Sequence, residues 1–364
     1  MLRPMTTLDR YLGRQVAGGY LFLIFAFVLV FVLLDFVEHL DDFYDRAIPW
    51  QEVFGRYYAS YVPEMIRLTS PAAVFVATLF VTSRLAQRSE LIALRAAGVS
   101  ALQLLRPYLV LGLLITAFME VFNGWVVPQA NRARIAFEQR YFYRTGSLIE
   151  AANIFRQNSP RSFLGIGYFD RQEKIGYSVV LQEFDRPFGT LVRRIDAARM
   201  YWIDSLRIWR FEEVYEQRFG PEGIRLRALP FWDTTLALSP RDLARSERDV
   251  EQMTIPEAKA YLELLERTGA TYLDRPRVDY HSKFAYPVAN LIVILLGFPL
   301  ASVRRRGGMA LALTAGLLLS FAYMGLIKLF EPFGYEGELD PRLVVWAPHG
   351  FFLLLGIALL WRYR

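Results

Sequence analysis

The sequence predicts an α-helical membrane protein with six transmembrane helices in two blocks of three and an all-β domain inserted between them. Three observations carry this. Six runs approach the 20 or so residues needed to cross a hydrocarbon core of roughly 30 Å. The short loops between the runs alternate between arginine-rich and acidic. From about residue 161 the apolar period changes from that of a helix to two. Composition agrees, because 54% hydrophobic and only 21% charged residues exclude a disordered chain. The lack of cysteine excludes a disulfide scaffold and any cysteine-ligated metal or iron–sulfur site.

The apolar runs are 16–34, 68–83, 108–127, 284–303, 309–327 and 343–361. With their flanks they predict spans of about 16–37, 60–83, 104–127, 283–303, 308–330 and 342–361. The second run is the weakest, being short and preceded by Glu64 and Arg67. Charge asymmetry settles it. In a six-span arrangement Arg3, Arg10, Arg14, Arg84, Arg88, Arg95, Arg106, Arg304, Arg305, Arg306, Arg362 and Arg364 share one side with only Asp9 and Glu90. The short loops on the other side are acidic, with Glu38, Asp41, Asp42, Asp45 and Glu52 in one and Glu331, Glu336, Glu338 and Asp340 in the other. Arginine-rich short loops stay in the cytoplasm, so both termini are expected there. These arginines explain most of the net charge of +6, and no nucleic-acid partner is needed. The first run is too long for a signal peptide and lacks a small-residue cleavage site, so it reads as a retained anchor.

Residues 129–282 form the inserted domain, outside the cytoplasm by this topology. Its first part, 129–144, reads as a helix running on from span three. Strands follow at 161–169, 174–184, 190–202, 207–219 and 224–232, separated by turn residues such as Asp185-Arg186-Pro187, Asp204-Ser205 and Gly220-Pro221-Glu222-Gly223. The clearest hairpin joins 200–203 to 206–209, and its two tryptophans suit a packed sheet face. Helix returns at 255–267, with Thr254 as N-cap, Pro256 in the first turn and Gly269 as a stop. The three-span block is thus expected over 1–128 and the second over 283–364.

No G-x-x-x-x-G-K-[ST] loop, H-E-x-x-H pair or G-x-S-x-G elbow is present, and the three histidines are far apart. No catalytic or metal constellation is proposed. Asp35, Glu38, Glu64, Arg67, Glu120 and Lys328 lie in or near the spans, most within a turn or two of a boundary where long side chains snorkel. A secondary transporter would need several acids near the midplane, and only Glu120 comes close.

Residues 84–98 read as a short amphipathic helix on the cytoplasmic face. Leu85, Leu91 and Leu94 recur at helical spacing, Arg84, Arg88 and Arg95 suit the surface, Glu90 is its only acid and Gly98 ends it. Such a helix is either a plain interfacial one or a contact for a partner that pushes from the cytoplasm.

The stretch SELIALRAAGVS, residues 89–100, closely resembles the signature of the LptF/LptG (YjgP/YjgQ) permease family. So do Leu8-Asp9-Arg10-Tyr11-Leu12, Trp125-Val126-Val127-Pro128-Gln129, Lys283-Phe284-Ala285-Tyr286-Pro287, Phe298-Pro299-Leu300, Arg305-Arg306-Gly307-Gly308, Pro341 and Trp346-Ala347-Pro348. The resemblance covers almost the whole chain, and its opening, its 86–90 stretch and Val127-Pro128-Gln129 lean toward the LptG side. It implies one permease subunit of the ABC transporter that extracts lipopolysaccharide from the bacterial inner membrane. It further implies pairing with a second six-span permease and with two copies of a cytoplasmic ATPase, LptB, which uses ATP and Mg. The chain itself would be no enzyme and hold no cofactor or metal. The inserted domain would be a periplasmic β-jellyroll-like one, handing lipid to similar jellyrolls (LptC, LptA).

By the same resemblance Arg84, Arg88, Glu90, Leu91 and Leu94 would contact the ATPase, with Gly98 fixing the turn into span three. Spans one and five would form a lateral gate through Gly18, Gly19, Ala312, Ala315 and Gly316, although ordinary packing explains these small residues equally well. The end of span one departs from the family, because Asp35 and Glu38 head an acidic stretch that would repel an anionic headgroup unless divalent cations bridge the two. Arg132, Arg134 and Arg140 are better suited to phosphate, which guanidinium groups bind bidentately, with helix solvation as the equal alternative. A membrane-anchored periplasmic scaffold without transport activity is the other functional class left open.

Overall fold

The computed structural model describes residues 7–142, 152–170, 173–187, 189–220, 223–243, 247–268, 270, 273–302 and 308–363. Arg3, Gly269, Arg304, Arg305, Arg306, Arg364, the turn residues Pro221 and Glu222, and the side chain of Ala312 lie outside that description. The chain divides into two compact units, 1–137 with 250–255 and 277–364, and 138–249 with 256–276.

Six helical segments among the described residues are long and apolar enough to cross a membrane. The first is α1 (Thr7–Glu38), followed by the short α2 (Leu40–Asp45) and α3 (Trp50–Glu52). A π turn, Val53–Tyr58, leads into α4 (Ala59–Gln87), then come α5 (Glu90–Ala96) and α6 (Ala101–Val121). A second π turn, Phe122–Val126, carries α6 into α7 (Val127–Tyr141). After the strands stand α8 (Pro240–Leu243), a 3-10 turn at Glu247–Gln252, α9 (Ile255–Thr268), and the last three long helices, α10 (Asp274–Ser302), α11 (Gly308–Tyr335) and α12 (Pro341–Tyr363).

The weak second run is explained by where α4 sits. Its most apolar window is 67% buried, against 11% for α1, so α4 is an interior helix. Most of the buried polar residues that dilute its apolar character find partners inside the bundle, the Ser83 hydroxyl being the exception. Ser70 donates to Asn290 of α10 (2.8 Å), Thr82 donates to the Tyr108 hydroxyl of α6 (3.1 Å), and Thr78 bonds back to the Val74 carbonyl (2.7 Å). Such small polar residues join helices where hydrocarbon offers no other partner. Around α4 the core gathers Leu12 and Val16 of α1, Leu104 of α6, Ile294 and Phe298 of α10 and Tyr323 of α11. Gly356 of α12 lets two backbones approach, since a Cβ there would stand 3.2 Å from Leu295 Cβ and 3.4 Å from its carbonyl carbon.

The second unit holds one antiparallel sheet of six strands in sequential order: β1 (Ala152–Ser159), β2 (Ser162–Asp170), β3 (Ile175–Phe184), β4 (Leu191–Ile203), β5 (Ile208–Gly220) and β6 (Gly223–Thr234). The sequence suggested five of these. β1 is an additional edge strand, paired with β2 from Ala152↔Tyr168 to Ser159↔Ser162 with an irregularity near its end. The β4–β5 hairpin turns over four residues rather than two, with Arg207 at a φ of 53°. Trp202 and Trp209 face each other across it, ring centroids 5.2 Å apart. The fully buried Trp209 donates its Nε1–H to the Leu238 carbonyl (2.8 Å) among Leu164, Met200 and Phe211.

Candidate functional site

The 84–98 segment is not one helix. α4 continues through Arg84 to Gln87, Arg88 caps it, and Ser89 turns the chain at a φ of 59° before α5 begins. The physical reason lies in Leu91, which is 3% exposed and packs into the bundle core with half-buried Leu94. Leu91 and Leu94 therefore anchor α5, and its outward face carries Ile92, Ala93, Arg95 and Ala96 beside half-exposed Glu90. Arg88 reaches to 3.9 Å from Glu90, and the Arg95 guanidinium lies over the Tyr363 ring (5.0 Å). Gly98, at a φ of 86°, closes α5 in a Schellman arrangement: the Gly98 N–H donates to the Arg95 carbonyl (3.0 Å) and the Val99 N–H to Leu94 (3.1 Å). Two residues later a capping box starts α6, with Ser100 and Gln103 bonding each other's backbone N–H groups. α5 is thus a short rod fixed at both ends to the long helices, so a load applied to it passes into α4 and α6.

The opposite end of the bundle carries a second polar assembly. Arg67 stands twenty residues before the end of α4, Lys283 nineteen before the end of α10, and Lys328 twenty after the start of α11. At 1.5 Å per residue each lies roughly 30 Å from the α5 end, one hydrocarbon thickness away. Three independent helices thus bring a cation to one level, and all three line one cavity of about 70 Å³. Arg67 holds Glu64 by a bidentate pair, Nε lying 3.1 Å from both carboxylate oxygens with Nη2 in short contact, and Asn131 donates to the same carboxylate (3.2 Å). Lys328 pairs with Glu331 at 2.8 and 2.9 Å. Both pairs join residues three apart on one helix. Asn123, in the second π turn, donates to the Lys283 carbonyl (2.7 Å) and so ties α10 to the third span.

The other sequence candidates are scattered. Asp35 is buried and accepts from the hydroxyls of Tyr57 (3.2 Å) and Tyr58 (3.0 Å), so its carboxylate is a joint between α1 and the first π turn rather than part of an open acidic ring. Glu38 is exposed. Arg132 donates Nε–H to the Gln252 carbonyl (2.5 Å), the Arg134 guanidinium is 6.0 Å from the Tyr61 ring centroid, and Arg140 is exposed beside Tyr141. Gly18 has open space where a Cβ would stand, whereas Gly19 faces Ala77 of α4 at 3.4 Å. Gly316 also faces α4, under Leu79, and Ala315 is half-buried.

Lys283, Asn123, Asn131, Glu251 and Asp279 all line the cavity, and the sequence reading singled out none of them as a polar site. A usable signal existed for Lys283. Its offset from the end of its helix matches those of Arg67 and Lys328 to within one residue.

Comparison with known proteins bears on the whole chain. Residues 10–362 match the family described as lipopolysaccharide export system permease LptF/LptG. The lipopolysaccharide export system permease protein LptG of Escherichia coli (strain K12) is 22% identical over 377 residues, covering 99% of each chain. LptF of the same organism is 23% identical over 357 residues, 97% of this chain and 94% of its own. LptG of Haemophilus influenzae is 22% identical over 299 residues, 80% of each.

Proposed function

The chain belongs to the LptF/LptG family of lipopolysaccharide export permeases, and from that premise we propose that it is one six-span half of an ATP-driven exporter that takes lipopolysaccharide from the outer leaflet of the inner membrane. The observation that carries this is the family match over residues 10–362, joined to a short helix built for mechanical contact. Two copies of a cytoplasmic ABC ATPase supply the work, gripping α5 through Glu90, Arg84 and Arg88 while Leu91 and Leu94 hold the helix to the bundle and Gly98 keeps its angle. Both termini are cytoplasmic and the sheet unit is periplasmic, receiving lipid for a bridge of similar jellyroll-like proteins. A second six-span permease completes the cavity. Exposed Leu21, Phe22 and Phe25 on α1 suit lipid or that partner, and spans one and five, which carry Gly18, Gly19, Ala312, Ala315 and Gly316, would form the lateral gate. The cation level at Arg67, Lys283 and Lys328 lies where headgroups of the outer leaflet would sit. Arg132, Arg134 and Arg140 are further candidates for phosphate contact.

The test is gentle extraction from the native membrane followed by native mass spectrometry, and then reconstitution with lipopolysaccharide. A complex holding two ATPase copies and a second permease, releasing lipopolysaccharide on ATP addition, is expected. A lone chain that binds only periplasmic proteins, after loss of partners in extraction has been controlled for, would instead support the scaffold role.

A further inference from the structure

The charges around the cavity are not those of a simple anion trap. Two of its three cations are already neutralised on their own helices, by Glu64 and Glu331. Two further carboxylates, Glu251 and Asp279, also line it. Carboxylates therefore outnumber cations, and a group carrying only negative charge would meet net repulsion from the lining as a whole.

Two charged side chains stand apart. Lys283 is 7% exposed, yet its ammonium makes no hydrogen bond or ion pair among the described residues; only its backbone carbonyl is engaged. Asp279 one turn earlier, Glu251 and Glu64 attract it only through space, and because a buried charge without a close partner is costly, this is a place where a ligand can complete the site. Glu251 of the 3-10 turn is exposed, and its carboxylate makes no hydrogen bond or close ion pair among the described residues, attracting Arg67 and Lys283 only through space. The Oδ1 of Asn131, 5% exposed, is a buried acceptor with no donor. The cavity thus offers one buried cation and one solvent-facing carboxylate that lack a close partner among the described residues, while the Asn131 Oδ1 is sealed away from it.

We propose that this cavity binds a phosphoethanolamine-type group, with its phosphate on the Lys283 ammonium and its own ammonium on the Glu251 carboxylate. The phosphate satisfies the buried cation by charge-assisted hydrogen bonds, and the amine removes the repulsion from the surplus acids. The group belongs either to an exported lipid whose phosphate is capped with ethanolamine or to phosphatidylethanolamine of the surrounding leaflet. The first source rests on the export reading; the second does not.

The experiment is lipid titration of the purified native complex, followed by native mass spectrometry in the presence of EDTA so that divalent bridges are excluded. Four probes are used: lipid A with two bare phosphates, the same lipid A capped with phosphoethanolamine, phosphatidic acid and phosphatidylethanolamine. The wild type should bind the amine-capped member of at least one pair about three- to fivefold more tightly, the worth of a partly exposed ion pair. Glu251→Gln should erase that preference without weakening the uncapped lipid. Lys283→Gln should weaken both members of the pair roughly ten- to hundredfold, the range for a hydrogen bond to a charged group, and Lys283→Arg should restore most of the binding. A preference confined to lipid A identifies the exported lipid as the source, and one confined to the phospholipid pair identifies the leaflet. Equal binding of capped and uncapped lipids by the wild type overturns the proposal, as does a preference that survives Glu251→Gln. ATP-driven release of lipopolysaccharide is scored separately on the same preparation. Loss of release with the preference intact overturns the export reading alone.

Discussion

Replacing Gly98 by alanine tests the fixed angle of α5 most directly. Gly98 has a φ of 86°, and no atom lies within 4 Å of where a Cβ would stand. Alanine therefore meets no clash, and the whole cost is the backbone conformation, about 1–2 kcal/mol for an L-residue held in the left-handed region. That cost falls on the two Schellman hydrogen bonds to Arg95 and Leu94. A penalty of this size raises the local opening equilibrium about 5–30-fold. Hydrogen–deuterium exchange of the purified complex should show this as faster uptake confined to about residues 94–100, with α4 and the core of α6 unchanged. Gly98→Asn, which tolerates the left-handed region better, should show a smaller rise. ATP hydrolysis should persist while lipid release per ATP falls, because the loosened rod transmits less load. Unchanged exchange in Gly98→Ala, or faster exchange spread over the whole bundle, would refute the reasoning.

Other perturbations probe the remaining contacts. Gly18→Ala, which meets open space in a helix interior, should raise the thermal midpoint of the detergent-solubilised protein by the equivalent of up to about 1 kcal/mol, whereas Gly356→Ala should show no such gain, because its Cβ crowds the Leu295 Cβ at 3.2 Å. Trp209→Phe should cost about 1–3 kcal/mol by leaving the Leu238 carbonyl without its donor, read as increased exchange in β4 and β5. Burial pushes the Glu216 carboxyl up, but hydrogen bonds from Arg218 and Arg193 outweigh it and hold the group below its ordinary range. A depressed native pKa stabilises above the unfolded value of about 4.3 and is lost as pH falls through the native one. Exchange protection in β4 and β5, corrected for intrinsic rates, should therefore fall on acidification below that pH, and Glu216→Gln should flatten the dependence.

What could be read from residues alone, and what could not, divides along physical lines. The six spans and their order follow from length and loop charge, which are local properties. The strands that carry alternating Ile, Val, Tyr, Phe and Trp were legible for the same reason. β1 was not, because Ala-Asn-Ile-Phe-Arg-Gln-Asn-Ser mixes polar and apolar residues and becomes a strand only by pairing with β2. The segment after span two showed its helical composition but not its break, since the burial of Leu91 depends on neighbours distant in sequence. Asp35 looked like part of an acidic rim until the tyrosines of the π turn closed over it. The cavity was the least visible feature. Arg67, Glu64 and Lys328 each stand out in the sequence, but only the lengths of three separate helices bring them and Lys283 to one depth.

The pairing of Arg67 with Glu64 and of Lys328 with Glu331 bears on how the chain enters the bilayer. Each pair sits within one helix turn, so the charges are neutralised as soon as that helix forms, before any tertiary contact exists. An unpaired arginine or lysine costs a nascent span about 2.5–3.5 kcal/mol at mid-membrane, and placement near the boundary lowers that further. Spans two and five therefore arrive at the insertion machinery with their cations already matched. The fourth carries Lys283 with Asp279 one turn before it, an acid that attracts the ammonium without forming a close ion pair, and it enters behind the polar stretch that opens α10, which keeps that end near the headgroups until the bundle closes around it.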